Sequence, residues 1–260
     1  MNKVGFIGGG ALAESIVRGI CGKVFAPSDI FISEIRPARC EELINRYGVN
    51  VSTEVTFLDK VELLIVAVKP KDAEQTFSSL QGKIPATTLI TYTVAGLKLA
   101  RVEKFFPANK IVRIMPNVAV SVGESMTAYT LNKFAARDGE TIKNFWSTLG
   151  RAVEVDEKLM DAVTGLSGSG PAYAFLMIDA LSDGGVAAGL SRSMAIELAA
   201  QTLLGAAKMV LQGEHPDVLR DKVTSPAGTT IEGVRVMERC GVRSALIEAV
   251  LAATDKSKSL

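Results

Sequence analysis

Hydrophobic residues in the N-terminal part of the chain come in short closed blocks, at 3–7, 30–33, 63–68, 89–94, 111–115 and 152–155. The run Leu63-Leu64-Ile65-Val66-Ala67-Val68 shows no alternation, the character of a strand covered on both faces, as a parallel sheet demands. Between the blocks, Leu12, Ile16 and Ile20 fall one helical turn apart, and Pro37 and Gly48 bracket a second amphipathic helix. A short strand at 49–51 and a helix at 134–149 carrying Trp146 complete the pattern. Strands alternating with helices predict an α/β Rossmann-like domain with a parallel-rich, doubly wound sheet over residues 1–156.

From Glu157 onward the strand signals stop, and helices are expected at 171–190, 193–211, 218–223, 230–238 and 243–253. In the second of these Leu198, Leu203, Leu204, Val210 and Leu211 interleave with Ala199, Ala200, Ala206 and Ala207, so nearly every face is apolar. A helical unit this small cannot bury so much surface against itself. Residues 157–260 are therefore expected to form an all-α domain that associates with another copy, making at least a dimer.

Charge narrows the partners. With 29 basic and 28 acidic residues the net charge is +1, which gives no bulk attraction to nucleic acid or to an anionic membrane. Asp179 and Asp183 interrupt the most apolar helix, so no membrane span is expected. Cys21, Cys40 and Cys240 have neither zinc spacing nor a disulfide framework, and no signal-peptide pattern precedes the first strand. Both observations favour the cytoplasm, and no metal site is expected.

The chemistry starts at the first strand. Gly8-Gly9-Gly10 follows it and opens a helix, and Gly8-x-Gly10-x-x-Ala13 fits the dinucleotide fingerprint, with backbone N–H groups and the helix dipole aimed at a pyrophosphate. Near the end of the second strand, Glu34 would accept hydrogen bonds from a ribose 2′-hydroxyl and favour NADH, whereas Ser33 and Arg36 would hold a 2′-phosphate and favour NADPH. Two hydroxyl- and glycine-rich turns stand in the helical half, Ser167-Gly168-Ser169-Gly170-Pro171 and Thr224-Ser225-Pro226-Ala227-Gly228-Thr229-Thr230. Thr229-x-x-Glu232 fits a capping box, and such a turn presents N–H groups to a carboxylate without a lysine or arginine. The single histidine, His215, precedes Pro216 in a polar segment and reads as a surface cap rather than a base. A substrate that needs no histidine is an imine, whose carbon accepts hydride directly once oriented.

These motifs resemble the pyrroline-5-carboxylate reductase family over nearly the whole chain: the glycine turn, Ala67-Val68-Lys69-Pro70, Arg113-Ile114-Met115-Pro116-Asn117, the serine-glycine turn through Tyr173, and Val223 onward to Thr230. The resemblance implies a Rossmann domain plus an interlocking helical domain, and reduction of L-1-pyrroline-5-carboxylate to L-proline. NADPH would be the usual cofactor, with NADH as the alternative. It places Gly8, Gly9, Gly10, Ala11 and Leu12 on the pyrophosphate and Ala67, Val68, Lys69, Pro70 and Asn117 along the cofactor. Ser169, Ser225, Gly228 and Thr229 would hold the substrate, and Thr230 the ring nitrogen. Three positions depart from the family: Ala227 replaces Gly, Asp179 replaces Glu, and Tyr92 replaces a small hydroxyl residue. Two other readings remain at this point. One is a different imine or hydroxy-acid oxidoreductase, although 172–180 holds no catalytic lysine; the other is a non-catalytic dinucleotide sensor.

Overall fold

The N-terminal residues alternate strand and helix: β1 (Val4–Ile7), α1 (Ala11–Ile20), β2 (Ile30–Ser33), α2 (Pro37–Tyr47), β3 (Asn50–Ser52), β4 (Leu63–Val66), α3 (Pro70–Leu80), β5 (Leu89–Tyr92), α4 (Leu99–Val102), β6 (Lys110–Met115), β7 (Ser125–Leu131), α5 (Gly139–Ser147) and β8 (Gly150–Glu154). This description comes from a computed structural model that describes residues 1–260. The eight strands form one sheet in the order β3-β2-β1-β4-β5-β6-β7-β8. Pairing is parallel from β3 to β6, β7 is antiparallel to β6, and β8 is parallel to β7. Strand order reverses at β1, with β2 on one side and β4 on the other, which is where such folds bind a dinucleotide.

Successive residues of a strand point to opposite faces, and here both faces are apolar. Val4 and Phe6, Leu63 and Ile65, Val112 and Ile114 pack with Ile16, Leu43 and Trp146 on one side. Ile7, Leu64, Val66, Ile90 and Tyr92 pack with Phe77 and Val102 on the other. Helices α1, α2 and α5 thus cover one face, and α3 and α4 the other.

The remaining helices are α6 (Met160–Val163), α7 (Gly170–Ala187), α8 (Arg192–Val210), α9 (Pro216–Lys222), α10 (Thr229–Arg239) and α11 (Val242–Lys258). Two compact units result, Met1–Ser169 with Ala252–Leu260, and Gly170–Leu251. Within the second unit α7 packs on α8. A Cβ on Gly185 would come within 3.0 Å of the Ala195 Cβ, so two small residues set the close approach of these helices.

Several expectations need correction. Strand β7 was not foreseen, because its alternation is hidden by buried polar residues: Thr127 is fully buried and its hydroxyl lies 3.4 Å from that of Ser125. The helix expected from Phe134 begins only at Gly139, since the side-chain oxygen of Asn132 accepts the N–H groups of both Ile111 and Ala135 at 3.0 Å and holds a turn there. The serine-glycine segment expected as a flexible turn is helical, with Thr164–Gly168 forming one π-turn between α6 and α7. Its hydroxyls fold back onto the helix, Thr164 donating to the Met160 carbonyl and Ser167 to that of Val163. Helix α11 runs to Lys258, five residues past the expected 253.

Candidate active site

The glycine turn is held from below. Gly8 has φ +96°, and a Cβ there would lie 2.7 Å from the Ala67 carbonyl oxygen, so the end of β4 permits no side chain. Its N–H donates to the Ser33 carbonyl at 2.8 Å, and Val68 packs alongside. The structure therefore brings Gly8, Ser33, Ala67 and Val68 together. Gly10 is different: it is the N-cap of α1 at φ −70°, and a Cβ on it would meet nothing within 4 Å. Neither torsion nor internal packing requires glycine at this position. Glycine there leaves the first turn of α1, which no side chain caps, open to the approach of an anion. The fully buried Ala13 supplies the small residue that close helix–sheet packing needs. These features fit a dinucleotide pyrophosphate over Gly8 to Leu12.

Glu34 and Arg36 are found in mutual contact. Glu34 is 5% exposed, and its Oε2 accepts the Gly9 N–H at 3.0 Å. Its Oε1 accepts the Arg36 N–H and the Arg36 Nε, each at 3.0 Å, and Arg36 Nη2 reaches Oε2 at 3.4 Å. Burial pushes this carboxyl up, but the hydrogen bonds from Arg36 and Gly9 outweigh it and hold the group below the usual carboxylate range. Arg39, which the sequence reading did not single out, donates Nε to the Gly9 carbonyl at 2.9 Å. Gly9 is thus clamped at both ends of its peptide. A signal for Arg39 existed in its position on the first turn of the helix after β2, one turn beyond Arg36.

Lys69 is the N-cap residue of α3, without a side-chain cap, and Pro70 is its first residue. Beside them a cleft of about 530 Å³ is lined by Pro70, Lys71, Val94, Gly96, Lys98 and Leu260 among others. Tyr92 belongs to the core: its ring meets Phe77 edge-on at 6.0 Å and its hydroxyl donates to the Leu97 carbonyl at 3.1 Å, fixing the loop after β5. Asn117 is committed within the protein, its side chain accepting the Ala119 N–H at 3.0 Å and donating to the Ser167 carbonyl at 3.0 Å. It ties the end of β6 to the π-turn that leads to Ser169.

In the second unit, Ser225-Pro226-Ala227-Gly228 is a β-turn closed by Gly228 N–H donating to the Ser225 carbonyl at 3.0 Å. Proline second and a positive φ third, 54° at Ala227, define type II. A Cβ on Gly228 would fall 2.3 Å from the Ser225 Oγ and 3.1 Å from the Ser225 carbonyl oxygen, so a side chain there would displace the serine hydroxyl. The capping box does not form. Gly228 takes the N-cap with no side-chain hydrogen bond, Thr229 is the first helical residue, and Glu232 pairs with Arg235 at 2.7 Å instead of reaching back. As a result the N-terminus of α10 is uncapped, and the hydroxyls of Thr229 and Thr230 are exposed with no partner in this chain. His215 caps α9 as expected, its Nδ1 accepting the Asp217 N–H at 3.3 Å.

Comparison with known proteins adds independent information. Residues 157–260 match the family described as pyrroline-5-carboxylate reductase dimerisation, and residues 3–95 that described as NADP oxidoreductase coenzyme F420-dependent. The pyrroline-5-carboxylate reductase of Synechocystis is 47% identical, covering 99% of this chain and 98% of that protein. The enzyme of the same description from Arabidopsis thaliana is 42% identical, over 99% and 95%. A crystal structure of Plasmodium falciparum pyrroline carboxylate reductase with NADP bound superposes with a TM-score of 0.88 at 29% identity, covering 99% and 97% of the two chains. A prephenate dehydrogenase from A. aeolicus, at a TM-score of 0.57 and 13% identity, shares the fold alone.

Proposed function

This chain belongs to the pyrroline-5-carboxylate reductase family, and from that membership we infer how its residues carry the NAD(P)H-dependent reduction of L-1-pyrroline-5-carboxylate to L-proline, the last step of proline biosynthesis. Residues 1–156 hold the nucleotide, with the pyrophosphate on Gly8 to Leu12. Residues 157–260 hold the substrate and provide self-association, which their match to a dimerisation family supports. The finer assembly is a dimer, or a multiple of dimers, built through the C-terminal helices, working in the cytoplasm.

The substrate assignment is carried by the N-terminus of α10, which has no side-chain cap and two unpartnered threonine hydroxyls behind a closed turn. The substrate carboxylate accepts the free N–H groups of that first turn and the Ser225 hydroxyl, where the helix dipole favours an anion. Thr230, one residue further along, hydrogen-bonds the ring nitrogen and holds the imine carbon in position. A nicotinamide bound beside it would supply the hydride for that carbon, and the ring nitrogen takes its proton from solvent, so that imine, hydride and proton together give the amine. An iminium needs orientation more than a strong base, consistent with a site in which no histidine takes part.

Following nicotinamide absorbance with pyrroline-5-carboxylate and each nucleotide tests the reaction. Thr230→Ala and Thr230→Val test the site: turnover is expected to fall roughly 10- to 100-fold in both, with nucleotide binding retained. Near-normal turnover in both would reject Thr230 and shift the assignment to Ser225 and Ser169.

A further inference from the structure

Arg113 is buried, 2% exposed, and no step of the proposed chemistry uses it. It stands near the carboxyl end of β6 in parallel register with Tyr92 of β5, so both side chains leave the same face of the sheet. A guanidinium held away from water has to be paired. Arg113 Nη1 donates to Glu157 Oε1 at 3.3 Å, and Nη2 lies 3.8 Å from Asp161 Oδ1. The same Glu157 oxygen accepts the N–H of Leu99, the first residue of α4, at 2.6 Å, while Asp161 accepts the Ser257 hydroxyl at 2.7 Å.

Both branches lead to the loop 93–98, which joins β5 to α4. Glu157 fixes its far end through Leu99, and the fully buried Tyr92 donates its hydroxyl to the Leu97 carbonyl at 3.1 Å. Ala95 packs on Met115 and Met160. At Gly96, φ +74°, a Cβ would fall 2.9 Å from the Leu260 Cβ and 3.1 Å from the Ser257 carbonyl oxygen, so the segment that Asp161 holds closes on the loop from another side. Strand β5 neighbours β4, whose end sets Ala67 against Gly8, and the loop is therefore the next surface along the carboxyl edge of the sheet from the glycine turn.

We propose that Tyr92 and the Arg113–Glu157 pair are positioning residues for the nicotinamide end of the site, acting through the loop 93–98. This rests on the assignment of the glycine turn to the dinucleotide. The buried anchors hold Val94 to Leu97 in place before anything binds, so the nicotinamide meets a seat already formed and does not have to order it. The small hydroxyl residue of the family pattern at position 92 ends a ring's length short of the Tyr92 hydroxyl, which makes this anchor a feature of the present chain.

Nucleotides with and without the nicotinamide isolate this from catalysis. Titration calorimetry compares NADPH with 2′-phospho-ADP-ribose, and NADH with ADP-ribose. Tyr92→Phe keeps the ring against Phe77 and deletes only the hydroxyl. It should weaken the nicotinamide-bearing member of each pair roughly three- to tenfold, as suits one hydrogen bond, and leave the ADP-ribose affinities as in the wild type. Glu157→Gln keeps an oxygen for the Leu99 N–H, removes the charge facing Arg113, and serves even if Tyr92→Phe folds poorly. It should shift the same ratios in the same direction. A lowered Tm with unchanged affinity ratios in both variants would make the cluster structural only and overturn the proposal, as would equal weakening of both members of each pair. Failure of the wild type to bind either ADP-ribose would instead overturn the glycine-turn assignment, and this proposal with it.

Discussion

Ala227 is the one non-glycine residue of the chain with positive φ, and it sits where the proposed substrate turn hands over to α10. A left-handed torsion costs an L-residue roughly 1–2 kcal/mol, and type II turns ordinarily place glycine third for that reason. The Ser225–Gly228 hydrogen bond holds Ala227 there, and a side chain at Gly228 would displace the Ser225 hydroxyl. Ala227→Gly should relieve the strain while raising unfolded-state entropy, for a net gain of up to about 1 kcal/mol in urea unfolding. Ala227→Val should lose stability, since a branched side chain is worse still at this torsion. A glycine variant that is clearly less stable than wild type would mean that the turn holds no strain. The departure of Ala227 from the family pattern was visible in the sequence, but its torsion was not. The turn type rests on the positive φ of Ala227, and a residue that ordinarily avoids that torsion does not announce it in the sequence.

Elements were legible where one face or one spacing decided them. Helix α1 and strand β2 fall where the sequence places them, because Ile16, Val17 and Ile20 of the one and Ile30 and Ile32 of the other are buried in the core. Strand β7, the late start of α5 and the π-turn were not legible, because buried threonines, a side-chain amide and back-bonded hydroxyls replaced the hydrophobic signal with polar contacts. The same holds for the link between the first two helices. Glu14 of α1 receives Arg39, Arg46 and the Tyr47 hydroxyl of α2, and Arg39 continues to the Gly9 carbonyl, so this bracket sets the glycine turn as well as the helix pair. Burial raises the Glu14 carboxyl, but hydrogen bonds from Arg39, Tyr47 and Arg46 outweigh it and bring it from the usual 4.5 to about 2. A carboxyl lowered on folding contributes stability that is complete above its unfolded value and is lost as pH falls through its folded value. Wild type should therefore be more stable than Glu14→Gln near neutral pH, with the difference shrinking between about 4.5 and about 2. A difference independent of pH in denaturant unfolding would show that Glu14 acts through packing alone.

At the scale of the whole molecule, the second unit leaves its apolar residues uncovered. Phe175 and Leu176 on α7 are 62% and 70% exposed, Leu198 and Leu211 exceed half, and α9 and α10 contain no buried residue at all. The apolar residues of α7 and α8 are spread around the helix rather than gathered in one stripe, the pattern of a helix covered on every side. A monomer seldom exposes contiguous apolar surface on this scale, and residues 157–260 match a dimerisation family. Association should therefore contribute to folding stability itself. Unfolding coupled to dissociation depends on protein concentration by mass action, so Tm should rise as the protein is concentrated from nanomolar to micromolar. Leu176→Arg would place a charge in the covered surface, where an unpaired buried charge costs several kcal/mol, and should shift the protein toward monomers of lower Tm. Sedimentation at micromolar concentration gives the direct reading. A wild-type monomer whose Tm does not change with concentration would overturn association through these helices, while a dimer untouched by Leu176→Arg would place the interface on α9 to α11.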